Sequence, residues 1–166
     1  AVAGNETLRN GIPGAVLTLL EHPDQYELLL DNHDLLPGAV EELLRFWPPV
    51  IHFRRTTTCE VNLGGQHIDA GQKVAVYHLA ANRDPAVFDD PHRLDLRRND
   101  NDHVSFGFGP HFCLGAHLAR RQVRSMLEEL MTQLGRLELA GPPIRLQSNF
   151  QQGLKSLPVK WNTNRL

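Results

Sequence analysis

The chain has 166 residues, of which 41% are hydrophobic and 22% charged, with a net charge of −2. That length suffices for one domain with a real core, the composition is ordinary for a globular protein, and the charge provides no bulk attraction to nucleic acid. The two cysteines, Cys59 and Cys113, show neither metal-pair spacing nor a disulfide framework, which points to a reducing cytoplasm. No apolar run reaches membrane-spanning length and no signal peptide is visible, so no membrane span is expected.

The chain opens on Ala1-Val2-Ala3-Gly4, without an initiator methionine, in what reads as the middle of a helix, and a fragment is expected. The octet Ala3-Gly4-Asn5-Glu6-Thr7-Leu8-Arg9-Asn10 reads on its own as the frayed end of an amphipathic helix. Pro13 removes one helical hydrogen bond and clashes with the preceding turn, at a cost of about 3 kcal/mol, so a kink or break is expected there. Beyond it the helix continues through Ala15-Val16-Leu17-Thr18-Leu19-Leu20. His22-Pro23-Asp24 reads as a helix start with proline at the first helical position, followed by a short helix to about Leu30. Asp31-Asn32-His33-Asp34 is a loop, and the next helix starts near Pro37 and stops at Pro48-Pro49. On it, Glu42 and Arg45 are spaced i, i+3 and form an ion pair on one face, by default a surface pair worth under about 1 kcal/mol.

Residues 50–57 read as an extended segment, residues 59–68 as a hairpin turning at Gly64-Gly65, and residues 73–77 as a further strand. Cys59 is an ordinary strand cysteine in this reading, and Arg54-Arg55 a solvated basic pair. Residues 50–53 are apolar except for His52. From residue 80 to residue 105 the chain is turn-rich, and so long an irregular stretch is unusual unless it is functional. Then comes Phe106-Gly107-Phe108-Gly109-Pro110-His111-Phe112-Cys113-Leu114-Gly115, a cysteine in a glycine-rich loop. Its glycines permit backbone conformations closed to other residues and the close approach of a flat ligand. From Leu114 the apolar positions Leu118, Val123, Met126, Leu127, Leu130, Met131 and Leu134 follow at helical spacing. Cys113 thus sits at a helix N-terminus, where amides and the helix dipole stabilise a thiolate suited to haem iron. After the helix stop at Gly135, residues 136–139, 144–146 and 157–160 read as closing β structure around turns.

The run from Phe106 through Gly115 to Arg120 resembles the cysteine-ligand loop of the cytochrome P450 family of haem-thiolate monooxygenases. Three further motifs resemble the family in its own order: Ala3-Gly4-Asn5-Glu6-Thr7, Glu42 with Arg45, and Asp95-Leu96-Arg97-Arg98. The resemblance implies a mainly α fold with small β-sheets (α+β), with residues 1–166 forming the C-terminal part of a single domain of the soluble bacterial type. It implies haem b (iron protoporphyrin IX) with Cys113 as axial ligand of the iron, Phe106, Gly107 and Gly115 around the ligand, and Gly4 in a groove over the distal face. Glu6 and Thr7 take the roles of acid and hydroxyl that deliver protons to dioxygen. His111 and Arg55 match positions that bind haem propionates, with Arg54 an alternative to Arg55. Glu42, Arg45 and Arg98, with Arg97 an alternative to Arg98, form a structural network that fixes the backbone leading into the cysteine loop. Phe150 and Leu154 are candidates for the substrate pocket.

The implied reaction inserts one oxygen atom from dioxygen into a hydrophobic small molecule, with a leaning to lipids, sterols, terpenes or alkanes. Arg120, Arg121 and Arg124 give a basic proximal face on which a ferredoxin or flavin-type electron donor docks. The alternative reading is a truncated, haem-free and non-catalytic remnant of such an enzyme. A haem-thiolate isomerase or peroxygenase is a third, against which the Glu6-Thr7 pair argues.

Overall fold

Four helices pack their apolar faces on one another in the computed structural model, which describes residues 2–161. They are α1 (Val2–Glu21), α2 (Pro23–Asp31), α3 (Leu36–Phe46) and α5 (Ala116–Leu134); a single turn, α4 (His78–Ala81), lies between the last two. Ala1 and residues 162–166, part of the span assigned to the domain, lie outside the described residues. The core is built from Leu19 of α1, Leu29 of α2, Ala39 and Leu43 of α3, and Val123 and Leu127 of α5, all buried. Each such leucine or valine contributes roughly 1.5–3 kcal/mol by leaving water. The result is the expected α+β class.

Helix α1 does not break at Pro13. The expected break fails because the next turns bury Ala15, Val16, Leu17 and Leu19, and several such side chains outweigh about 3 kcal/mol of proline penalty. Thr18 also donates its hydroxyl to the Gly14 carbonyl at 2.8 Å, inside the turn that follows the proline. The loop expected after α2 is partly a 3-10 turn, His33–Leu35, because the Asn32 side chain accepts the Asp34 N–H at 3.1 Å.

Four antiparallel pairs of strands complete the described residues. β1 (His52–Thr56) pairs with β4 (Lys73–Tyr77), setting Phe53 opposite Val76 and Arg55 opposite Val74. β2 (Val61–Leu63) and β3 (Gln66–Ile68) form the expected hairpin, turning through Gly64 and Gly65, both at positive φ. Cys59 is an exposed residue in the bend before β2, not a strand residue. β5 (Leu137–Leu139) pairs with β8 (Val159–Trp161), and β6 (Ile144–Arg145) with β7 (Leu154–Ser156). Between α4 and α5 the backbone carries one 3-10 turn, Gly109–His111, and otherwise no helix or strand.

Helix α5 differs from the expected apolar stripe. Val123, Leu127 and Met131 are buried, whereas Leu118 and Met126 stand exposed, and Leu114 precedes the helix with its side chain wholly in solvent. Only one face of the helix meets α1 and α3, so Leu118 and Met126 lie on its outer side, while Leu130 and Leu134 are half-buried against the core. Among the described residues, no helix is long and apolar enough to cross a membrane.

Gly14 is a packing constraint inside α1, because a Cβ there would run into the indole ring of the buried Trp47. Gly14→Ala gains about 1 kcal/mol of helix propensity but overpacks a rigid ring, which costs about 1–3 kcal/mol. The expected outcome is a net loss of stability in chemical denaturation with a changed tryptophan emission; a more stable Gly14→Ala variant is incompatible with this packing.

Candidate functional site: the cysteine loop and its buried ion-pair frame

Cys113 lies three residues before α5, in a loop whose backbone is closed on itself. Its N–H donates to the Phe106 carbonyl at 2.9 Å, and its own carbonyl accepts the Ala116 N–H at 3.2 Å as the helix begins. Gly107 and Gly109 take positive φ, 71° and 67°, which only glycine adopts at low cost. The Phe112 N–H returns to the Gly109 carbonyl at 3.0 Å. The thiol is exposed, and so are Phe108, Phe112 and Leu114 beside it. An exposed sulfur among exposed apolar side chains, at the positive end of a helix, is a donor set suited to a flat apolar ring carrying a soft-ligated iron. The residues present therefore fit haem.

Beneath the loop lies a buried ion-pair network. The Glu42 and Arg45 side chains are 0% exposed. Arg45 donates Nε to Glu42 Oε2 at 2.7 Å and Nη2 to Oε1 at 2.8 Å, a fork-to-carboxylate pair. Its remaining N–H groups reach the carbonyls of Asn82 at 2.7 Å, Pro91 at 2.9 Å and Arg93 at 3.2 Å. Glu42 in turn accepts from the Asp95 N–H at 3.0 Å and from Asn101 Nδ2 at 2.9 Å. Arg98 Nε lies 3.2 Å from Glu42 Oε2, an ion pair without a well-aligned hydrogen bond. Arg97 is exposed and meets Asp95 through its backbone. The pair is thus not the surface salt bridge that its spacing suggests by default.

A second carboxylate, Glu41, faces the other way, into α5. Arg120 donates Nε to Glu41 Oε1 at 2.7 Å and Nη2 to Oε2 at 2.9 Å. His103 Nε2 stands 3.2 Å from Glu41 Oε2, while His103 Nδ1 accepts the Ser105 N–H at 3.3 Å, which places the ring proton on Nε2. Burial pushes the Glu41 carboxyl up, but the hydrogen bonds from His103 and Arg120, with the Arg120 charge, outweigh it and hold it at about 2. Arg120 is therefore withdrawn from the expected basic face, because its charge is spent within the fold. Arg121 and Arg124 remain exposed beside a cleft of about 470 Å³ between α3 and α5.

The other expected site residues lie at the surface, some exposed and some half-buried. Gly4 is exposed, with nothing near the space a side chain would take. Thr7 donates its hydroxyl to the Ala3 carbonyl at 2.9 Å, and Glu6 lies 3.4 Å from Arg9, a partner on its own helix. Arg55 is exposed and donates to the Arg54 carbonyl at 3.1 Å; His111 is exposed on the 3-10 turn. Along β1, His52 and Phe53 meet Phe150, with ring centroids 5.9 and 5.8 Å apart. The Ile51 N–H donates to the Phe150 carbonyl at 2.9 Å, so the C-terminal loop docks on the start of β1. Leu154 is half-buried on β7. His78 is buried against Phe53 and its Nδ1 has no partner; burial, then the Arg55 and His52 charges, push its ring below the usual histidine range.

Sequence reasoning missed Glu41, His103 and Asn82. Asn82 is buried, holds the Arg45 carbonyl and Ser105 Oγ through Nδ2, and accepts the Val104 N–H. Asn82 sits in a turn-rich stretch where an asparagine signals a turn, and no local spacing ties it to residues 37 positions earlier.

Comparison with known proteins places these features in a family. The family model described as Cytochrome P450 matches residues 1–145. Over 163 residues the chain is 46% identical to the methyl-branched lipid omega-hydroxylase of Mycobacterium bovis, covering 97% of this chain and 38% of that protein. It is 43% identical over 158 residues to linalool 8-monooxygenase of Pseudomonas putida, covering 95% of this chain and 39% of that protein. Among solved structures it resembles P450BioI in complex with an acyl carrier protein ligated with hexadec-9Z-enoic acid, with TM-score 0.94 and 37% identity over 97% of this chain and 42% of that one. The chain thus spans well under half the length of these relatives.

Three outcomes follow. Truncating Arg45 to Met leaves the buried Glu42 carboxylate without its forked partner and with only the poorly aligned Arg98 Nε as a charge beside it, so a loss of about 3–5 kcal/mol is expected in denaturant unfolding. Arg97→Ala, at an exposed side chain, is expected within about 0.5 kcal/mol of the parent, and a large loss there would contradict the assignment of Arg98 to the pair. The depressed Glu41 carboxyl adds stability that is full above its ordinary value of 4.5 and is lost as pH falls toward about 2. Unfolding curves recorded across that window should show an acid-limb slope that Glu41→Gln diminishes; an unchanged slope would contradict the Glu41 geometry.

Proposed function

The chain belongs to the cytochrome P450 family, and from that premise we propose that it carries the thiolate-ligand portion of a haem-thiolate monooxygenase acting on a hydrophobic small molecule. The observation that carries this reading is Cys113, exposed and fixed through its N–H to the Phe106 carbonyl in a loop shaped by two left-handed glycines. The named relatives act on a methyl-branched lipid and on linalool, both apolar, which supports a lipid or terpene substrate class. The aromatic contacts of Phe53, His52 and Phe150 agree with an apolar lining.

In this reading Cys113 Sγ would ligate the haem iron, and the backbone bonds of the loop hold Cys113 against the helix end. Haem b supplies, when bound, the iron and the redox chemistry that activates dioxygen. Arg55 and His111, both exposed and cationic or capable of donating, would hold its propionates; an arginine fork suits a carboxylate. Thr7 and Glu6, an adjacent hydroxyl and acid near the start of α1, would carry the protons that dioxygen reduction consumes, Thr7 as the donor and Glu6 as its resupply. The net reaction places one atom of dioxygen in a substrate C–H bond and releases the other as water, consuming two protons and two electrons. The electrons come from a ferredoxin or flavin-type donor that docks at the exposed Arg121 and Arg124.

The test is the absorption spectrum of the haem-loaded protein after reduction and addition of carbon monoxide. A strongly red-shifted Soret band that Cys113→Ser abolishes is the expected result. An unshifted band, or no haem uptake, would overturn the reading in favour of a non-catalytic remnant.

A further inference from the structure

The Glu41–Arg120–His103 cluster does more than join two helices, because Arg120 also lies on the ring of Phe106. Its guanidinium carbon is 4.5 Å from the ring centroid, while the other side of the cluster, His103, has its centroid 6.0 Å from the same ring. Phe106 next meets Phe112 at 6.4 Å, and its carbonyl receives the Cys113 N–H at 2.9 Å. From Glu41 to the cysteine backbone there are thus three contacts: carboxylate to guanidinium, guanidinium to the Phe106 ring, and the Phe106 backbone carbonyl to the Cys113 N–H. The backbone on the entry side is fixed as well, since the Gly107 N–H donates to the Val104 carbonyl at 2.8 Å and Ser105 Oγ to the Leu44 carbonyl at 2.8 Å.

We propose that Glu41, Arg120 and His103 are positioning residues for the Cys113 ligand: Glu41, aligned by His103, holds the Arg120 guanidinium over the Phe106 ring, and Phe106 holds the loop that presents the sulfur. This rests on the reading of Cys113 as the axial ligand. Each member has chemistry the task needs. A guanidinium both forks onto a carboxylate and stacks on an aromatic face, which an ammonium does not do at once. His103 has its side chain 1% exposed, and its two nitrogens are both engaged, so it fixes the carboxylate that orients Arg120. Phe106 therefore meets Arg120 and His103, two members of this cluster, as well as Phe112.

The experiment uses the haem-loaded protein expressed from its complete reading frame. The red-shifted band of the reduced carbon monoxide complex is followed over time for the parent and for Arg120→Lys, Arg120→Met and His103→Gln. Thiolate ligation is expected to decay several-fold faster in Arg120→Lys, which keeps the charge but loses the guanidinium fork, and about tenfold faster in Arg120→Met. Tyr26→Phe is the control for mere destabilisation. Tyr26 donates to the Gly135 carbonyl and accepts the Leu137 N–H, both beyond the far end of α5 from the loop. It is expected to lower the melting temperature and leave the band's lifetime at the parent value.

Equal lifetimes in the parent and both Arg120 variants would overturn the proposal while leaving the Cys113 reading intact. Equal loss in Tyr26→Phe at a matched fall in melting temperature would overturn it too, as a general stability effect. A parent that never shows the red-shifted band removes both readings together. Where Arg120→Met does not fold, Arg120→Lys and His103→Gln decide the matter alone.

Discussion

The buried pair of Glu42 and Arg45 is the interaction on which the rest of the structure depends. Two charges withdrawn from water cost several kcal/mol each, and their mutual attraction offsets this only if every remaining donor and acceptor is engaged. Here the irregular stretch after α4 supplies the partners. Its carbonyls at residues 82, 91 and 93 take the guanidinium protons, and its N–H at Asp95 and its side chain at Asn101 take the carboxylate lone pairs. A segment without helix or strand thereby acquires one path. The ion pair is best understood as a specification of where that backbone runs, since a chain displaced from it would strand a charge.

Consecutive residues on α3 divide the work. Side chains one position apart on a helix point about 100° apart around its axis. Glu42 therefore faces the irregular segment, and Glu41 faces α5. The same helix ties down both the backbone that enters the cysteine loop and the helix that leaves it, one carboxylate for each. Asn82 links the two halves, because it accepts Val104 N–H and binds the Ser105 hydroxyl while its own carbonyl takes an Arg45 proton. The loop is held at both ends by groups that are buried or half-buried, and its tip is left to solvent.

Much of this was legible in the chain because it is local. Helical spacing located α2, α3 and α5, the Gly64-Gly65 pair located a hairpin, and the glycine-flanked cysteine before an apolar stripe located the loop. The departures are those where tertiary burial overrides a local rule. Proline in α1 does not break the helix because the turns after it are buried on several sides, which a single-residue penalty ignores. Leu118 satisfies the spacing of the stripe but lies on the side of α5 that no other helix covers, and Leu114 lies before the helix begins. Glu41 and Arg120, 79 positions apart, each read as ordinary charges on a helix surface. No spacing rule within either helix pairs them, so Arg120 read as free basic surface when it is a ligand of the fold.

That misreading also explains how the two faces of the loop differ. On the side of α3 and α5 the charges are consumed internally: Arg45 and Arg98 by Glu42, Arg120 by Glu41 with His103. A cluster closed in this way has no free charge to attract water into the loop's base, and its arginine carbons are left to stack on Phe88 and Phe106. On the other side stand the exposed thiol, the exposed aromatic residues and the open helix surface at Gly4. The forked ion pairs lie beneath the loop, where the backbone that carries Cys113 is held, and exposed apolar side chains stand around the thiol. An electrostatic frame holds that backbone better than an apolar one, because an apolar core tolerates sliding of its side chains, whereas forked carboxylates and carbonyl acceptors fix direction as well as distance.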